Sequence, residues 1–125
     1  MALTALICDA DAAERAAIGD ILRQLGFEIL EAESGARAYE LYQQHRPDAF
    51  MIANVVPGTY VNEFIRKIWA LDRDAPVFVC AGMWTSVMPG TLKILWPYEP
   101  RRVLETLFPF FRAELEPLYR SGLFM

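Results

Sequence analysis

The stretch from Pro47 to Gly58 constrains the fold of this chain more than any other. It reads Pro-Asp-Ala-Phe-Met-Ile-Ala-Asn-Val-Val-Pro-Gly, a near-continuous apolar run with Pro-Asp before it and Pro-Gly after it. A strand with one wet face alternates apolar and polar residues, whereas a strand covered on both faces does not. The run therefore predicts a central parallel strand that ends at a turn. In open α/β sheets, ligands and chemistry sit beyond the carboxyl ends of such strands. Here that end carries Ala53, whose methyl group can do no chemistry.

The rest of the chain alternates strands and helices around this run. Leu3 to Cys8 reads as a first buried strand ending at Asp9. Asp11 caps a helix, with Glu14 three residues on as its capping-box partner. That helix buries Ile18, Ile21, Leu22 and Leu25 at i, i+3, i+4 and i+7 and stops at Gly26. Phe27 to Glu31 is a second strand. Ser34 caps a second helix with Ala38, Leu41, Tyr42 and His45 inward, stopped by Pro47. A third helix turns Val61, Phe64, Ile65 and Ile68 inward. Val77 to Cys80 and Leu92 to Leu95 give the fourth and fifth strands, and Pro100 starts a helix through Val103, Leu104 and Leu107. This alternation predicts a parallel sheet with helices on both faces.

At 125 residues, 54% of them hydrophobic and 22% charged, the chain is expected to form one globular domain, 1–125. The net charge is −4 and the basic residues are scattered, so no nucleic-acid face is expected. Asp9 interrupts the only apolar N-terminal stretch, and no apolar segment has membrane-spanning length, so no membrane association and a cytoplasmic location are expected. Cys8 and Cys80 admit a redox or metal pair, but two small buried side chains are the expectation. His45, the only histidine, has no Ser or Cys nearby in sequence and is expected to be a structural, partly buried residue.

Several pieces together resemble the receiver domain of two-component response regulators. They are Ile7-Cys8-Asp9-Ala10-Asp11 with Arg15, Pro47-Asp48 and Pro57-Gly58 around the third strand, Pro76-Val77-Phe78-Val79, and Trp96-Pro97-Tyr98 followed by Pro100. The resemblance spans about residues 3 to 108, with 109–125 as a C-terminal helical extension. It implies a flavodoxin-like α/β three-layer sandwich with a five-stranded parallel sheet in the order 2-1-3-4-5.

The resemblance also implies a phosphorylation site, and this sequence departs from it at four positions. An active receiver holds Mg²⁺ with two adjacent carboxylates after the first strand, because a hard cation takes oxygen ligands; here the pair is Asp9-Ala10. The phosphoaccepting aspartate falls on Ala53, counted from either flanking motif. The hydroxyl residue ending the fourth strand falls on Ala81, and the lysine before the proline of the fifth strand on Trp96. Shifting the register by one to use Asn54 breaks both anchors and inverts the strand's faces. The expectation is a pseudo-receiver with no phosphotransfer, no enzymatic activity, and no metal or other cofactor. Asp9, Ala10, Ala53, Ala81 and Trp96 form its degenerate pocket, with the Trp96 indole filling the room left by the alanines. The alternative is a small-molecule sensor that uses the vacated pocket.

Only Gly82 to Thr91 remains for two loops and a helix between the fourth and fifth strands, whereas a helix alone averages about 11–12 residues. The helix at this point is therefore expected to be short or absent. Its loss leaves Met83, Trp84, Val87 and Met88 either capping the sheet or exposed for a partner. With Tyr98, Phe108 and Phe111 they form the expected interaction surface. The partner class is a signalling protein such as a histidine kinase or another regulator, or a second copy in a C2 dimer. Pro109 and Pro117 are each expected to break or kink the C-terminal helix, which carries further apolar residues through Leu123, Phe124 and Met125.

Overall fold

The computed structural model describes residues 2–122; Leu123, Phe124 and Met125, part of the expected apolar tail, lie outside the described residues. Five parallel strands, β1 (Leu3–Cys8), β2 (Phe27–Ala32), β3 (Ala49–Ala53), β4 (Val77–Ala81) and β5 (Leu92–Leu95), pair in the order β2-β1-β3-β4-β5. The helices are α1 (Ala12–Gln24), α2 (Gly35–His45), α3 (Val61–Leu71), α4 (Pro100–Leu107) and α5 (Arg112–Ser121). This is the flavodoxin-like arrangement the sequence implies.

Strand periodicity divides the core into two layers. Ala5 and Ile7 of β1, Met51 of β3, and Phe78 and Cys80 of β4 face α1, α4 and α5; Leu6, Cys8, Phe50, Ile52, Val77 and Val79 face α2 and α3. The run at 49–52 is buried on both sides because both neighbouring strands and both helical layers cover it. Asp48, just before β3, accepts a hydrogen bond from the Thr4 N–H at 2.8 Å and helps to set the start of the ladder.

Between β4 and β5 the chain makes turns and no helix. Val87 and Met88 fold back onto the α2/α3 layer, so half of the expected patch caps the sheet. Gly90 has φ 91°, a conformation that costs a glycine little, and a Cβ there would lie 3.1 Å from the Trp69 ring. The loop is thus seated on α3.

The C-terminal helix is broken as expected at Pro109, where α4 ends and Phe110 and Phe111 turn back on Leu107. Pro117, by contrast, lies inside α5. Its ring is exposed, as is Ala113, so the carbonyl deprived of a donor can meet water. Phe111 and Leu115 enter the same core layer as α1 and α4. His45, expected on the inner face, is exposed at the last turn of α2.

Candidate functional site

The carboxyl ends of β1, β3, β4 and β5 meet at one end of the sheet, and the parallel register fixes what stands there. Ala53 pairs with Cys80, and Ala81 pairs with Leu95. The ladder runs one residue further on each side, with Asn54 N–H donating to the Cys80 carbonyl at 3.1 Å and Trp96 N–H to the Ala81 carbonyl at 2.9 Å. Asn54 itself is exposed.

Asp9 follows β1 and is only 9% exposed. Its N–H donates to the Ala32 carbonyl, and its Oδ1 accepts the Asp11 N–H at 2.9 Å. Burial holds the Asp9 carboxyl above its ordinary 3.8, with the Asp11 N–H and Arg15 working in the opposite direction and the Asp11 charge adding to the rise. Arg15 donates to the Asp9 backbone carbonyl at 2.7 Å and to Glu31 at 2.9 Å.

The sign of the Asp9 shift gives a prediction. A carboxyl raised above its unfolded value makes ionisation costly to the fold, so this contribution stabilises less as the pH rises from 3.8 through the folded value. Asp9→Asn removes that dependence while its amide oxygen can still accept the Asp11 N–H. The stability difference between variant and wild type should shift in the variant's favour from about pH 4 to about pH 7. Urea unfolding at both pH values measures it; a difference that moves the other way refutes the assignment.

Trp96 does not fill the space as expected. It is 53% exposed, and its Nε1–H donates to Glu14 Oε1 at 3.1 Å. The indole forms a rim instead of a plug because Glu14 holds it away from the sheet. An open pocket of about 340 Å³ results, with Asp9 and Glu14 on one side, Ala81 and Gly82 at the β4 end, and Trp96 and Tyr98 beyond β5. Ala10 and Ala53, expected as members of this pocket, are not among its lining residues. Tyr98 is half-buried and hydrogen-bonds to Cys80, and burial is the main cause that pushes its phenol up.

Four members of the pocket, Glu14, Cys80, Gly82 and Tyr98, escaped sequence reasoning. Glu14 was expected in a capping box; Asp11 does accept the Ala13 and Glu14 N–H groups, but its own N–H goes to Asp9 and the Glu14 carboxylate goes to Trp96. No local signal could reveal a contact spanning 82 residues. Cys80 lines the pocket from the α1 side of the sheet, whereas Cys8 faces the other layer. Both cysteines are free and buried, and burial pushes each thiol up to about 12. Opposite faces exclude them as a redox pair.

The expected interaction surface divides in the same manner. Met83 and Trp84 are 62% and 93% exposed. Phe108 is stacked on Tyr119 at 4.3 Å and has the Arg112 guanidinium over its ring at 4.7 Å, while Phe111 packs edge-on against Phe27 at 5.5 Å. Phe111 is therefore core and unavailable as surface. Among the described residues no helix is long and apolar enough to cross a membrane.

No protein-family model matches the chain. It is 33% identical over 115 residues to the chemotaxis protein CheY of Bacillus subtilis, covering 86% of this chain and 96% of that protein. It is 31% identical over 110 residues to CheY of Thermotoga maritima, covering 82% and 92%. The fold matches CheY4 of Vibrio cholerae with a TM-score of 0.77 at 20% identity, over 89% of this chain and 100% of that one. A CheY-like receiver domain protein of Methanospirillum hungatei gives 0.79 at 17% identity, over 94% and 99%. With the same strand order and near-full-length identity above 30% to two CheY proteins, this chain belongs to the CheY-like family of response regulator receiver domains.

Proposed function

We propose that this receiver works without phosphorylation, as a regulatory and protein-interaction module of two-component signal transduction. The observation that carries the reading is Ala53 at the end of β3, opposite Cys80 in the ladder. Phosphoryl transfer to a receiver needs a carboxylate oxygen to attack phosphorus, and a methyl group has no lone pair to offer. Ala10 beside Asp9, Ala81 at the end of β4 and Trp96 after β5 support it further, because each removes an oxygen or a cation from the same end of the sheet. Such a module acts by binding. Its partner is a signalling protein, a histidine kinase or another regulator, and Met83 and Trp84 are exposed apolar groups just after β4.

Incubation of the full chain with acetyl phosphate and Mg²⁺ tests this. The intact mass should not change, with or without hydroxylamine. A hydroxylamine-sensitive phosphoryl adduct refutes the proposal.

A second reading, a small-molecule sensor, is favoured by one observation. Glu14 holds Trp96 out of the carboxyl-end pocket and leaves it open.

A further inference from the structure

The carboxyl-end pocket has one sign of charge and an unused recognition group. Asp9 as a residue is nine-tenths buried, yet among the described residues only its Oδ1 has a hydrogen-bond donor. No fully buried side-chain oxygen among the described residues lacks a partner, so the unpaired Oδ2 reaches open space, and the space Asp9 lines is this pocket. Across from it, Glu14 binds the indole N–H edge and leaves the rest of the half-exposed Trp96 ring free.

Among the described residues no cation lines the opening, although the nearby Arg15 favours the Asp9 charge. Arg15 is committed to the Asp9 backbone carbonyl and to Glu31, and Lys93 donates to the Met83 carbonyl at 3.0 Å; neither lines the pocket. Burial is the main cause that pushes the Cys80 thiol and the Tyr98 phenol up, and the charges of Asp9 and Glu14 add to both rises.

We propose that this pocket binds an organic cation, a guanidinium or alkylammonium group, held by Asp9 and Glu14 and resting on the Trp96 indole. Carboxylates give such a group charge-assisted hydrogen bonds, and the indole attracts it through its π face. A volume of about 340 Å³ suits a small headgroup with a short stem. A metal ion fits poorly. Among the described residues no group of three or more metal-ligating side chains exists, and a strongly hydrated Mg²⁺, which gives up its waters reluctantly, gains nothing from an indole face. A weakly hydrated guanidinium loses less on leaving water. The inference rests on the sensor reading above and names the ligand class of that site. The same chemistry serves a free small molecule or an arginine or lysine side chain reaching in from a partner.

Calorimetric titration of the full chain with choline, agmatine, a capped arginine tripeptide and MgCl₂, at constant ionic strength set with NaCl, decides it. At least one organic cation should bind saturably and more tightly than Mg²⁺. Asp9→Asn and Trp96→Leu should each weaken that binding at least tenfold with an unchanged circular dichroism spectrum. Tighter binding of the tripeptide assigns the cation to a partner's side chain, and tighter binding of agmatine or choline assigns it to a free ligand. Tighter Mg²⁺ binding, no saturable organic-cation binding, or variants that bind like wild type overturn the proposal. Absence of cation binding together with an unchanged mass after acetyl phosphate removes only this ligand and leaves the phosphorylation-independent reading standing.

Discussion

Leu115→Ala should lower the unfolding free energy by about 2–5 kcal/mol, the usual cost of emptying a fully buried leucine site. Leu115 lies beyond residues 3–108, the part that resembles a receiver, and an appended tail would lose almost nothing on truncation. In this fold the residue is 0% exposed and sits in the layer that contains α1 and α4. Phe111 anchors the turn before it through its edge contact with Phe27, and α5 is drawn back onto α4 by Phe108 stacked on Tyr119 and by Arg101 over the Tyr119 ring at 4.4 Å. A cavity opened at Leu115 therefore weakens the main core layer. Urea denaturation monitored by circular dichroism measures the loss; a change below about 1 kcal/mol would mean that α5 is not part of the cooperative core.

Phe50→Ala should cost more, about 3–5 kcal/mol. Phe50 is completely buried in the central strand and meets Tyr42 of α2 at 6.1 Å and Phe64 of α3 at 5.9 Å between ring centroids. Its loss removes the aromatic contact that joins two helices to the sheet. Domains of this kind are stable by only about 5–15 kcal/mol, so the variant should be largely unfolded in mild denaturant. Guanidinium titration is the check, and near-wild-type stability would show that the helices repack over the gap. The carboxyl-end pocket should be lost with the fold, because β3 carries the register that sets Ala53 opposite Cys80.

The contrast between these two sites reflects how much each region showed in sequence. Phe50 was legible, because a short continuous apolar run between two proline-marked ends reads as a doubly covered strand. Ile18, Ile21, Leu22 and Leu25 were legible for a similar reason, since the helical repeat places them on one stripe, and all four are buried. Leu115 was legible only as one apolar residue of a proline-interrupted tail. Whether such a residue faces a core or a partner depends on what lies across from it, and periodicity carries no information about that. Pro117 shows the same limit: a proline breaks a helix where its lost hydrogen bond is buried, and here the freed carbonyl is on an exposed face.

By itself, the sequence showed where the strands and helices fall and that the β4–β5 connection is too short for an average helix, while its resemblance to receivers implied the strand order and the placing of Asp9, Ala10, Ala53, Ala81 and Trp96 at the sheet's carboxyl end. The element pattern follows from local periodicity, and local periodicity survives in one dimension. Only the tertiary structure decided that Trp96 stands at the rim, because Glu14, 82 residues away in sequence, takes its indole N–H. Only packing divided the 83–88 segment, with Val87 and Met88 on the sheet and Met83 and Trp84 in solvent. A side chain's direction is set by competition among partners that the chain brings together on folding, and the pocket at the end of β1 and β4 is the product of that competition.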